Sequence, residues 1–149
     1  NNNVQIVQSA GYVAIMTEMV HDVRIVPLDG RPRTGLRYAM GESRGHFDGN
    51  TLVVETANFS RGTSLRGSTS TMHLVERFTL TDAKTLLYEF TVTDPSTWTA
   101  PWTAQVLMSR LSGELYEYAC HEGNYALRNV LAGARAQERN EAAAGPSNK

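Results

Sequence analysis

At 149 residues the chain has the length of one domain, enough to bury roughly two-thirds of its unfolded surface in a single core. Its 14 basic and 15 acidic side chains are interspersed, so no basic stripe of the kind that tracks nucleic acid is present. An apolar fraction of 41% belongs to the globular class, and no apolar run is long enough to span a membrane.

The chain opens on Asn1-Asn2-Asn3 with no initiator Met and no signal-like apolar segment. It therefore reads as processed, or cut from a longer precursor. The dominant hydrophobic period is two, in short segments separated by turn chemistry, which predicts an antiparallel all-β domain. Residues 4–8 and 12–20 are the first expected strands, joined across Ser9-Ala10-Gly11. A third, 23–28, stops at the turn Asp29-Gly30-Arg31-Pro32. Residues 44–47 and 51–56 flank Asp48-Gly49-Asn50, which carries the Asp-Gly hairpin signature. After a long Gly/Ser/Thr/Arg-rich loop at 60–70, strands 72–80 and 86–93 flank 81–84, and strands 103–110 and 114–120 flank Ser112-Gly113.

Serial hairpins favour a meander, and closure removes exposed strand edges. The expected fold is thus an all-β antiparallel meander closing into a calycin-like β-barrel, with an open sandwich or jelly roll as the alternative. Beyond Glu122 the period becomes helical: Leu127, Val130, Leu131 and Ala134 share one face. One C-terminal α-helix over about 122–141 is expected, packed on the outside or end of the sheet, with a frayed tail at 142–149. All of this forms a single domain, 1–149.

Each of the four histidines lies within three residues of a carboxylate: His21 beside Asp22, His46 before Asp48, His73 before Glu76, and His121 beside Glu122. A carboxylate can orient an imidazole or raise its basicity, for proton transfer or for metal binding. Alternation places Arg44, His46 and Asp48 on one strand face, a spacing that suits a chelate or a base with its orienter; in the bland alternative, Asp48 serves only the turn. His73 and Glu76 point to opposite faces, so His-x-x-Glu is a poor chelate. Glu76 interrupts an apolar face. It is either a desolvated acid suited to proton transfer or a buried partner of an arginine from a neighbouring strand. Cys120-His121-Glu122 sits at the strand-to-helix junction, and Cys120, the single cysteine, reads best as a small buried hydrophobe. No Gly-x-Ser-x-Gly, phosphate-binding glycine loop, zinc-protease helix or Cys-x-x-Cys is present. Trp98 and Trp102 occupy a loop braced by Pro95 and Pro101, and Tyr116 and Tyr118 share a strand face; these aromatics suit stacking on a sugar or aromatic ligand, or capping a barrel end.

The strings His21-Asp22-Val23-Arg24, Ser43-Arg44-Gly45-His46, His73-Leu74-Val75-Glu76-Arg77-Phe78 and Ala119-Cys120-His121-Glu122-Gly123-Asn124-Tyr125 hold all four histidines. Through them the chain resembles, over nearly its whole length, a large group of uncharacterised exported bacterial proteins usually encoded with a signal peptide and an extra N-terminal region. It departs from that group at 33–40, where a His and a Trp are commoner. The resemblance implies a periplasmic or secreted location and names no reaction.

The resulting expectation is an exported small-molecule enzyme performing acid–base or metal-assisted hydrolysis or elimination on a sugar-like or aromatic substrate. Glu76, His73, Asp48, Arg44 and Arg77 are the candidate catalytic residues, with Arg24 as a further cation for developing negative charge. His21, His46 and His121 are the candidate ligands of a divalent metal, zinc or another. Trp98, Trp102, Tyr116 and Tyr118 are the candidate substrate contacts, around a mouth bordered by a tryptophan, reached by two histidines and covered by a movable 60–70 loop. A small-molecule ligand is the expected partner, with no nucleic acid and no membrane span. The competing class is a non-catalytic binding barrel.

Overall fold

The computed structural model describes residues 3–20, 22–62, 65–116 and 123–144. The chain divides into two compact units, Asn1–Glu117 and Tyr118–Lys149. The first contains β1 (Val4–Ser9), β2 (Tyr12–Thr17), β3 (Val23–Pro27), β4 (Glu42–Asp48), β5 (Thr51–Ala57), β6 (His73–Leu80), β7 (Thr85–Thr93) and β8 (Trp102–Ser109). The alternation in these segments matches the strands closely. β2 stops three residues early, before a turn in which Val20 takes φ of +67°, a conformation that strains a β-branched residue.

The strands form two antiparallel meanders, β1-β2-β3 and β4-β5-β6-β7-β8. Among the described residues β3 does not pair with β4, nor β1 with β8, so the ladders stay open where a closed barrel was expected. The reason lies in residues 28–41, where Pro32 and three glycines with positive φ (Gly30, Gly35 and Gly41) prevent a strand from continuing the ladder. Residues 114–116, expected to open a ninth strand, are irregular; 117–120 lie outside the described residues.

The two sheets share a core. Val13, Ile15 and Val26 of the three-stranded sheet meet Leu52, Val54 and Phe78 of the five-stranded one. Close approach depends on Gly45: a Cβ there would lie 2.7 Å from Val26 Cγ1 and 3.1 Å from Leu28 Cδ2. A second cluster covers the rest of the same face with Phe59, Met72 and Val92, against which Leu65, Leu74, Phe90, Trp98 and Trp102 pack. An aromatic row, Phe78–Tyr88–Phe90–Trp102–Trp98, runs from the first cluster to the second with ring centroids 4.8 to 5.6 Å apart.

In the loop expected to act as a movable lid, residues 65–70 are tied to the fold by packing and hydrogen bonds. Leu65 joins the second cluster and Ser68 is buried. Buried Asp94 accepts the Thr69 N–H at 2.6 Å and the Thr71 hydroxyl at 2.8 Å. In the second unit, α1 (Ala126–Ala144) begins later than expected because Asn124 Oδ1 accepts the Ala126 N–H at 3.1 Å and caps the first turn. Residues 142–144 are helical, and 145–149 lie outside the described residues. No helix among the described residues is long and apolar enough to cross a membrane.

Candidate functional site

The connection from β3 to β4 runs as a strap along the edge of β4, held there by side chains in place of a ladder. Arg44 donates from Nε to the Arg31 carbonyl (2.9 Å) and from Nη2 to the Pro32 carbonyl (2.8 Å) and the Glu42 carboxylate (2.7 Å). Its Nη1 donates to the Ser43 carbonyl at 2.7 Å. Glu42, 7% exposed, accepts the Thr34 N–H at 2.7 Å and the Asn58 amide at 2.9 Å. Burial alone would push the Glu42 carboxyl up; the donors Thr34, Asn58 and Arg44 outweigh it and lower the pKa to about 2. Arg33 reaches back from the strap to the Glu55 carbonyl at 3.0 Å. Ser43 and Thr56 share a buried hydrogen bond of 2.8 Å beneath.

Between strap and sheet lies a pocket of about 290 Å³ lined by Arg31, Arg33, Arg44, His46 and Glu55, among others. Arg44 is paired with Glu55 across β4 and β5, and His46 with Val53, so His46 and Glu55 are diagonal neighbours on one face. Such positions stand about 7–8 Å apart, room for one small molecule to touch both. The Glu55 carboxylate makes no hydrogen bond among the described residues; its nearest cations are Arg33 at 3.7 Å and His73 Nε2 at 3.9 Å. His73 is its diagonal neighbour on the other side, since Glu55 pairs with Val75 of β6. His46 is exposed and has no partner among the described residues. Arg31 is held by Asp29 and by the Tyr12 hydroxyl, and its Nη1, like that of Arg33, donates to nothing described.

Two of the four histidines, His46 and His73, are thus diagonal neighbours of Glu55, a residue that the sequence reading did not single out. Its signal was present: with Gly49-Asn50 as a two-residue loop, Asp48 faces Thr51 and the count runs directly to Arg44 opposite Glu55. Gly49 supplies the positive φ (+60°) that this turn requires.

The other expected residues separate. Glu76, 3% exposed, forms a two-pronged pair with Arg24 at 2.5 and 2.9 Å and accepts the Tyr88 hydroxyl at 2.8 Å. Arg24 comes from the opposite sheet, not from a neighbouring strand, and both Glu76 oxygens are occupied. Burial, with the negative charge of Glu76 added to it, raises the Tyr88 pKa. Asp48 pairs with Arg77 at 3.0 Å on the exposed face, away from the lining of the pocket. Arg44 does line the pocket, yet four hydrogen bonds occupy its guanidinium.

His21, Tyr118, Cys120 and His121 lie outside the described residues. Among the described ones no three His, Cys, Asp or Glu side chains are placed to hold a metal ion. Trp98 and Trp102 face each other edge-on at 5.6 Å and pack, partly buried, against the second core cluster, and Tyr116 is exposed. Comparison of the chain with protein-family models, with curated proteins and with solved structures finds no match in any of the three.

Proposed function

We propose that the protein takes a small anionic organic molecule, such as a hydroxy or sugar acid, in the strap pocket, and that His46 and Glu55 perform acid–base chemistry on it. The observation that carries this reading is that an imidazole and a carboxylate, neither of them hydrogen-bonded among the described residues, line one pocket beside two arginines whose Nη1 groups donate to nothing described. A volume of about 290 Å³ is at the lower end of the range for ligand pockets, which favours a small acid over an extended aromatic. Arg31 and Arg33 would hold the carboxylate of the substrate, as guanidinium forks do. Glu55, as a carboxylate, would take a proton and His46, as the imidazolium, would return one, the division of labour that a hydrolysis or an elimination needs.

The second reading is binding without turnover. It is favoured by how completely Arg44 and Glu42 are committed to holding the strap. Neither reading requires the sheets to close into a calycin-like barrel, and neither needs the metal that His21, His46 and His121 were expected to hold. An exported setting, periplasmic or secreted, belongs to the proposal and rests on the sequence resemblance alone.

The test is a titration of the full chain with gluconate, malate and benzoate, read on the histidine ring protons by NMR. Selective shifts at His46 and His73, lost in His46→Ala, support the site. Turnover lost in Glu55→Gln with binding retained makes it an enzyme; no shift with any acid refutes the proposal.

A further inference from the structure

The two sheets do not close on the β1 side, and their facing surfaces open there into a second, larger hollow. Its floor is a row across the end of the five-stranded sheet: Leu80 pairs with Leu86, and Leu86 with Met108. Val4 and Ile6 of β1 form one wall, and Leu111, after β8, forms the other. Val4 and Leu86 also pack on the first core cluster, so the groove is continuous with the interior of the sandwich. Its volume is about 880 Å³, the scale of a site for a lipid-sized molecule.

The rim is charged. Lys84 and Arg110 both line the groove, tied together by the Arg110 N–H to the Lys84 carbonyl at 2.8 Å. Neither the ammonium nor the guanidinium has an ion-pair partner among the described residues. Among the described residues of the lining Glu114 is the only acidic one, which leaves an excess of positive charge at the rim above the floor of Leu80, Leu86 and Met108.

From this we infer that the groove is a binding site for a single long-chain carboxylate, its hydrocarbon chain along Leu80, Leu86 and Met108 and its head at Lys84 and Arg110. The site shares no lining residue with the strap pocket and stands or falls independently of it. An apolar chain gains by leaving water for these side chains, and a monomeric anion answers the unpaired cations of the rim.

Dodecanoate, kept below its micellar concentration, is titrated into the full chain by calorimetry and followed on leucine and methionine methyl groups by NMR. Saturable one-to-one binding is expected, with shifts at Leu86, Met108 and Leu111. Lys84→Ala with Arg110→Ala, whose exposed side chains hold no ion-pair partner among the described residues, should weaken it roughly tenfold or more, the scale of a charge-assisted hydrogen bond. Leu111→Asp should do the same from the apolar wall, while His46→Ala should leave it unchanged. Equal affinity for dodecyltrimethylammonium overturns the assignment of the headgroup. No saturable binding, binding only to phosphatidylglycerol vesicles, or burial of the groove by dimerisation overturns the site.

Discussion

Arg24 of the three-stranded sheet and Glu76 of the five-stranded sheet meet at the boundary between the two hydrophobic clusters. Along β6, Glu76 falls between Leu74, which packs on the second cluster, and Phe78, which belongs to the first. Both charges are largely withdrawn from water, with side-chain exposures of 13% and 4%, and Tyr88 completes the satisfaction of the carboxylate. A buried pair with this geometry aligns one sheet over the other, because any slip strands a charge.

Removing one partner should therefore cost more than removing both. Glu76→Gln is expected to destabilise by roughly 3–5 kcal/mol through the unpaired Arg24 left behind. Arg24→Met combined with Glu76→Leu should recover much of the loss. Denaturant unfolding of the single and double variants measures the coupling. A Glu76→Gln protein as stable as the parent would show that the pair does not lock the sheets.

Gly45→Ala tests the close approach of the sheets. Its methyl would sit 2.7 Å from Val26 Cγ1 with the Val53 carbonyl 3.2 Å away, so something must give. A loss of about 1–3 kcal/mol is expected, the range for overpacking, and Val26→Ala in the same chain should restore part of it. Thermal unfolding of the three variants checks this.

Acid should unfold the first unit. Glu42 is lowered to about 2, and Asp94 is lowered chiefly by its hydrogen bond from Ser96. Groups with depressed folded-state pKa values contribute stability above their unfolded values, and lose it as pH falls through the folded ones. Stability should be flat down to about pH 5 and fall steadily from there to about pH 2. Glu42→Gln should flatten that decline while lowering stability at neutral pH, and stability measured against pH is the readout.

Arg44→Lys should release the strap. A lysine cannot reproduce a fork that serves the Arg31, Pro32 and Ser43 carbonyls and Glu42 together. Limited proteolysis should then cut between residues 29 and 38 at a rate well above that of the parent, with ligand affinity at the strap pocket lost in parallel. Unchanged cleavage would mean that Glu42, Arg33 and the Tyr38 backbone hold the strap without Arg44.

Strand positions were legible because each strand alternates locally, and each hairpin is set by a turn within a few residues. What joins the hairpins was not. Whether β3 pairs with β4 is decided by residues 28–41, and glycine and proline there announce a turn without saying that Arg44 and Glu42 will hold it. Glu76 was visible as a charge on an apolar face, but its partner Arg24 lies 52 residues away in the other sheet, and local pattern carries no information at that range. The tryptophans read as a binding loop because Pro95 and Pro101 brace them; local pattern did not say that both rings also pack against the second core cluster, Trp102 edge-on to Phe90. Glu55 needed only the register of its own hairpin, read through to the far end.

The strap also bears on how the protein keeps to itself in a crowded solution. β4 is a terminal strand of an open sheet, and such a strand templates the addition of a strand from another molecule. Here a guanidinium group occupies part of that flank: Arg44 takes the outward Ser43 carbonyl at 2.7 Å. Arg44 thus acts as a gatekeeper against aggregation, guarding the strand that carries His46 with charge where a further strand would otherwise be recruited from a neighbour.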